Sequence, residues 1–322
     1  MAGIEETTCS TAEELLDVLN PRHAVWEQAP TEWGFRGHGQ SHWRLIPSAL
    51  RGGPVVLTPA SAEAQELTAR SGPVLLERGW HDEMHELCGF VEIADRVALP
   101  LPDLGFARSS LSELLRRTFI DRDQPLESDE RSNFVRTFGD WPPHETLGVL
   151  ALAQHHGLRT RLLDWSWRPR VAAYFAASSS LTSEEDAGAQ TGIDEHLTVW
   201  AIRGELIGRG IPPEPPHKLP RLELVSPPKS SNANLAAQAG FFTVDRSSTA
   251  SKGLDLTLQA ISAKLKPEFR YLGSPALRRF SVPREQAGRL LRLLHQEDVN
   301  AATLFPGYGG VVRFMAERRF WK

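Results

Sequence analysis

The sequence has little cysteine, no long apolar run and none of the glycine-rich loops that usually mark nucleotide enzymes. Cys9 and Cys88 are the only two cysteines in 322 residues. They cannot form a disulfide framework, and neither has a partner in its neighbourhood that would make it a nucleophile. No stretch approaches the roughly 18 apolar residues of a membrane span. Met1 to Glu6 has neither the basic flank nor the apolar core of an export signal, so a cytoplasmic location with no membrane partner is expected. Lysine is scarce, with none before Lys218, a bias that genomic base composition suffices to explain. There is no phosphate-binding loop of the Walker type, no dinucleotide glycine fingerprint and no serine elbow, and Gly37-His38-Gly39 lacks the third glycine. The net charge of -4 argues against coating nucleic acid through bulk charge and leaves only a local basic face open.

What remains is a hydrophobic content of 41%, enough for a real core in one large domain or two small ones. The informative stretch is Gln154-His155-His156-Gly157-Leu158-Arg159-Thr160-Arg161-Leu162-Leu163-Asp164-Trp165. It holds two imidazoles, two guanidinium groups, a carboxylate and an amide within twelve residues. Upstream, Leu147, Leu150, Ala151 and Gln154 recur at helical spacing, so the amide continues the core-facing stripe. Gly157 supplies a left-handed stop. Thr160 to Asp164 reads as a short buried strand, and Pro169 suits the first turn of an apolar helix through Ala173-Tyr174-Phe175-Ala176. Two polar loops thus flank one strand, a common place for chemistry in α/β folds.

The rest of the chain supplies the frame. Ser10 and Glu13 have the spacing of a capping box ahead of a first helix. Trp33 to Arg36 reads as a strand broken by glycines, leaving Arg36 at its end beside backbone open to a ligand, or else paired to a core carboxylate. Residues 52 to 75 read as a loop. Residues 76 to 98 read as a helix with His81, His85 and Cys88 on one face; Asp82 stands where a zinc peptidase needs glutamate, and no metal is assigned. Leu111 to Ile120 and Asn133 to Phe138 read as helical pieces. Ser178 to Gly192 reads as an exposed loop, His196 to Arg203 and Leu222 to Val225 as strands, and Pro212 to Pro216 as a stiff link. Gln238 precedes an aromatic strand, Phe241 to Val244. Lys264 to Arg292 carries eight basic residues against Glu268 and Glu285, with an amphipathic helix over Arg284 to His295. A turn at Ala302 to Gly310 precedes a last helix.

The chain resembles the FRG-domain family through several ordered blocks. These are Phe35-Arg36-Gly37 with Gly39, Trp43, Leu45, Pro47, Ser48 and Arg51; the central Gln154 to Trp165 with Pro169 and Ala173 to Ala176; Asn232 to Phe242 around Gln238 and Gly240; and Ala302 to Pro306. Arg159 departs from a frequent proline, and Ala239 from a common polar residue. More distantly, a strand ending in Arg36, a strand and helix reaching Tyr174, and Gln238 before an aromatic strand look like the three-part site of ADP-ribosyltransferases. That resemblance implies an α+β fold with a split mixed β-sheet core of ADP-ribosyltransferase type and flanking helices. It implies an N-terminal helix in residues 1–30 and one FRG domain over 31–322, with a helical insertion at about 52–142.

It further implies NAD as co-substrate, cleavage of the nicotinamide-ribose bond and transfer to an intracellular acceptor, with a role in toxin or antiphage pathways in keeping. Arg36, Gly37, Arg161 and Gln154 would hold the dinucleotide and Tyr174 would stack on nicotinamide. Gln238 would orient the reacting ribose where the superfamily usually has glutamate; Asp164 would supply the charge Gln238 lacks or take the acceptor's proton, a task also open to His155 or His156. The basic segment and the nine tryptophans suggest a nucleic-acid base or nucleotide as acceptor. The alternative is a module that binds a nucleotide or nucleic acid without turnover.

Overall fold

The computed structural model describes residues 4–26, 32–51, 78–102, 142, 144–186, 195–204, 207, 222–227, 232–246, 252–264 and 275–321. These residues build a mixed sheet from β1 (Ile4–Thr8), β2 (Trp33–His38), β3 (Leu162–Ser166), β4 (His196–Arg203), β5 (Leu222–Val225), β6 (Gly240–Asp245) and β7 (Leu277–Pro283). The helices are α1 (Ala12–Val18), α2 (Arg78–Arg96), α3 (Leu147–His155), α4 (Pro169–Asp186), α5 (Ala233–Ala237), α6 (Leu254–Lys264), α7 (Ala287–Gln296), α8 (Ala301–Leu304) and α9 (Tyr308–Glu317). The fold class is α+β. The segments read as a loop at 52–75, as helical pieces at 111–120 and 133–138, and as a proline link at 212–216 lie outside the described residues.

The strand order is β1-β7-β4-β2-β3-β6-β5. β1 runs parallel to β7, and the other five pairings are antiparallel. β4 lies inside the sheet and is apolar on both faces. Its Leu197, Val199 and Ala201 join a core with α1, α4 and α7, while Trp200 and Ile202 join a second core with Leu254 and Leu258 of α6. A third cluster packs α2 and α3 onto Leu162, Phe242 and Val244.

One irregularity in the register positions the site. β2 pairs with β4 along Trp33 to His38, and β3 pairs with β6 from Leu162 to Ser166. Between β2 and β3 the pairing reduces to Phe35 opposite Ser166. The sheet therefore splits there, and the backbone groups that a ladder would have satisfied need other partners.

Helix α4 packs over the split. Pro169 opens it, as its fixed φ allows, and Ala172, Ala173, Ala176 and Ala177 are all buried. The helix does not stop at Ser178 as the sequence reading had it. It continues to Asp186, with the hydroxyls of Ser179 and Ser180 bonded back to the Phe175 and Ala177 carbonyls and that of Ser178 to Glu317. At the N-terminus the cap is Thr11, not Ser10: its hydroxyl accepts from Glu14 N at 3.2 Å, and the Glu14 carboxylate accepts from Ser10 N at 2.6 Å.

Candidate functional site

The split opens into a cavity of about 540 Å³. Arg36, Gly37 and His38 of β2 form one wall, and Asp164 and Ser166 of β3 form another. Gln154 and His155 enter from the end of α3, Asn234 and Gln238 from α5 and its cap, and Arg51 from the turn after β2. Trp43, Phe175, Phe242 and Phe305 supply the aromatic lining. A mixed cavity of this size, apolar with a few convergent polar groups, is the usual form of a small-molecule site.

Its centre is a pair that bridges the split. Arg36 Nη1 donates to the Asp164 carbonyl at 2.8 Å and to its carboxylate at 2.5 Å. The guanidinium thus replaces part of the missing ladder. The Arg36 side chain is only 10% exposed, whereas that of Asp164 is 61% exposed while protein surrounds it. The surface it offers is the cavity itself. Burial works to raise the Asp164 pKa, but the charge and hydrogen bond of Arg36 outweigh it and hold the carboxyl below the usual carboxylate range. The carboxylate is therefore ionised and open to a ligand.

His38 holds the other side of Arg36. Its Nε2 accepts from Arg36 Nε at 3.0 Å, and its Nδ1 lies 3.2 Å from the Trp43 carbonyl oxygen, which can only accept. The two bonds require a neutral ring with the proton on Nδ1. Burial, reinforced by the Arg36 charge, pulls the His38 pKa down to about 3, in keeping with that tautomer.

The two amides are anchored. Gln154 Oε1 accepts from the Thr160 hydroxyl, and its Nε2 lies 3.5 Å from the Asp164 carboxylate. Gln238 caps α5, whose first turn is closed by Asn232 accepting from Leu235 N at 2.9 Å. Ala239 follows at φ 47°, the left-handed turn that leads into β6. Gln238 Nε2 donates to the Leu304 carbonyl at 3.1 Å, and the Gln238 backbone carbonyl accepts from the Ser166 hydroxyl at 2.7 Å. Residues about 36, 164 and 238 thus meet around one hollow.

Four expected roles do not fit these positions. Tyr174 is 0% exposed and outside the cavity lining; its hydroxyl donates to Glu317 at 2.7 Å, so it cannot stack on a ligand. One helical step turns Phe175 to the cavity instead. Arg161 is buried and engaged by Glu83 of α2, which accepts from its Nε at 2.5 Å and its backbone N at 2.6 Å. His156 caps α3, is exposed and does not line the cavity, whereas His155 does. Gly37 borders the cavity, but a Cβ there would lie 2.1 Å from the Ala172 carbonyl oxygen, so its small size serves the packing of α4 rather than the approach of a ligand. The sequence reading gave no role to His38, Arg51, Phe175 or Asn234. A signal was there for Arg51, which ends the same block as Phe35-Arg36-Gly37.

Other chemistries find little here. Burial pushes the Cys88 thiol up to about 12, which keeps it protonated and unreactive. Among the described residues no group of three or more His, Cys, Asp or Glu is placed to hold a metal, and no helix is long and apolar enough to cross a membrane.

Fold and cavity together define an α+β protein with a ligand-sized site at a split in a mixed sheet. The family model that matches is that of the FRG domain, over residues 78–185, which supports the FRG family for this chain. The matched third contains α2, α3, β3 and α4, and so Gln154 and Asp164; Arg36 and Gln238 lie beyond it. Comparison with curated proteins and with solved structures gives no match.

Proposed function

We propose that the cavity takes NAD as co-substrate and that the protein transfers ADP-ribose to an intracellular acceptor. The observation that carries this reading is the Asp164 carboxylate: ionised, held by Arg36, and presented to a cavity walled by aromatic rings and a second arginine. As the C1′–N bond to nicotinamide breaks, its electron pair leaves with the neutral base and positive charge builds on the ribose. A fixed carboxylate beside that carbon stabilises the charge. The acceptor's lone pair then forms the new bond to C1′ and its proton passes to a base. His155 suits that task because burial and the neighbouring His156 lower its pKa, so it is neutral near pH 7. Asn234 Nδ2, 3.1 Å from His155 Nε2, must first yield that lone pair. Phe175, in place of Tyr174, is the ring on this helix able to stack on nicotinamide.

A nucleic-acid acceptor draws less support than the sequence suggested. Trp26, Trp33, Trp165 and Trp200 are buried. The basic segment contains β7, where Arg278 lies over the Trp26 and Trp33 rings and pairs with Glu5, and Arg279 pairs with Glu6. These charges are used in folding.

A receptor without turnover is favoured by one observation: Arg36 and Gln238 already spend donors inside the protein. Fluorescent etheno-NAD turnover and nicotinamide release decide between the two. Asp164→Asn should cut release by roughly 100-fold or more, the scale of losing one transition-state electrostatic contact, while NAD affinity stays within a few-fold. NAD binding without release by the wild-type protein would leave the receptor. Undiminished release by Asp164→Asn would remove the role of the carboxylate.

A further inference from the structure

The charges around the cavity do not balance. Arg36 and Asp164 neutralise each other across the split. Arg51 also lines the cavity, and Arg159 is near enough for its charge to act on Arg51. Both arginines are exposed, and neither forms an ion pair with another described residue. A protein of net charge -4 thus keeps surplus positive charge beside this cavity. Like charges held together in a partly desolvated place are unfavourable, and Arg51 bears that cost: burial and then Arg36 lower its pKa, and the Asp164 charge offsets only part of this.

Arg51 is also built in. The 3-10 turn Ser48–Leu50 precedes it, and Ala49 N donates to the Thr160 carbonyl at 3.1 Å. The Ser48 hydroxyl accepts from Thr160 N at 3.2 Å, which ties the turn to the chain entering β3. Arg51 Nε donates to the Ile46 carbonyl at 3.1 Å. That bond fixes the plane of the guanidinium and leaves its two Nη groups as the fork that grips a phosphate in two-point geometry.

We infer that Arg51, with the charge of Arg159 behind it, is the anion-binding residue of the cavity and takes the pyrophosphate of a dinucleotide, while Arg36 serves as a positioning residue for Asp164. The assignment rests on the reading of this cavity as a NAD site and gives the hold on the dinucleotide to Arg51 in place of Arg36.

Calorimetric titration of the full chain tests it, with ADP, inorganic pyrophosphate and the phosphate-free nicotinamide riboside as probes. Wild-type protein should bind ADP and pyrophosphate. Arg51→Gln should weaken both by about 10- to 100-fold, the loss of a charged hydrogen-bonded contact, and leave nicotinamide riboside unchanged. Arg51→Lys, which keeps the charge without the fork, should fall between the two, and it carries the test should the glutamine variant fail to fold. Wild-type affinity for ADP in either variant overturns the inference, as does a wild-type protein that binds neither ADP nor pyrophosphate. Loss of ADP binding in Arg51→Gln, with no nicotinamide released by wild type, keeps the anion site and removes the transferase. Release by Arg51→Gln at an unchanged KM for NAD removes the anion site and keeps the transferase.

Discussion

Gly37 separates a packing role from a ligand role within the tripeptide Phe35-Arg36-Gly37. The substitution is Gly37→Ala, a single methyl. That methyl carbon would stand 2.1 Å from the Ala172 carbonyl oxygen and 2.4 Å from the Ala176 amide nitrogen, both backbone atoms of α4. Non-bonded heavy atoms rest at roughly 3.5 Å, so strand and helix must part by more than about 1 Å. They have no room to do so. Ala172, Ala173, Ala176 and Ala177 are all buried, and just past the end of β2 a Cβ on Gly39 would meet the Ser180 nitrogen at 2.6 Å. Inserting a methylene into a packed core usually costs 1–3 kcal/mol; with rigid backbone on both sides, a loss of about 3 kcal/mol or more is expected. Urea unfolding followed by circular dichroism reads it as a fall in midpoint at constant slope. A variant as stable as wild type that has lost ligand binding would refute the argument and return Gly37 to the ligand.

Two further predictions follow from named contacts. Tyr174→Phe removes a hydroxyl that donates to the buried Glu317, which also accepts from Ser178 and Arg313, so stability should drop by about 1–3 kcal/mol in urea unfolding while NAD affinity by calorimetry stays unchanged. His38 supplies a pH dependence: its pKa is about 3 when folded, against an ordinary value near 6.5. Between those limits the unfolded chain carries a proton that the folded chain does not, so stability falls as pH drops from about 6.5 toward 3, at up to about 1.4 kcal/mol per pH unit. His38→Gln should flatten that slope in urea midpoints taken from pH 7 to pH 4; an unaltered slope would contradict the neutral, buried ring.

Much of the frame was legible because it rests on local pattern. The strands His196–Arg203 and Leu222–Val225 fall on their expected bounds, Pro169 opens its helix, and Gly157 is left-handed at φ 97°. What was misread depends on distant partners. Thr160 and Arg161 looked like the start of β3, yet their backbone bonds go to Ser48, Ala49 and Glu83, so the strand begins at Leu162. β1 has little apolar pattern to announce it. Its Glu5 and Glu6 stand opposite Arg278 and Arg279 of β7, a match that no local window can contain. The same pairing explains why a run rich in arginine looked like a basic face. The sequence named segments that line one cavity but not the helix rotation that buries Tyr174 and presents Phe175.

The structural and chemical readings of Arg36 and Asp164 do not compete once the split is taken into account. Where β2 and β3 part, the Asp164 carbonyl loses a ladder donor, and Arg36 replaces it with Nη1. The same nitrogen reaches the carboxylate, which fixes that group in position and in charge. A carboxylate anchored only for stability would be expected to turn inward and lose its exposure, because an open position weakens the pairing through solvent screening. Asp164 instead keeps most of its side-chain surface in the cavity while remaining bonded to a nearly buried arginine. The fold thus uses a nearly buried guanidinium to hold an ionised oxygen toward a hollow, and the proposed role of Asp164 in stabilising positive charge on a ligand rests on that arrangement.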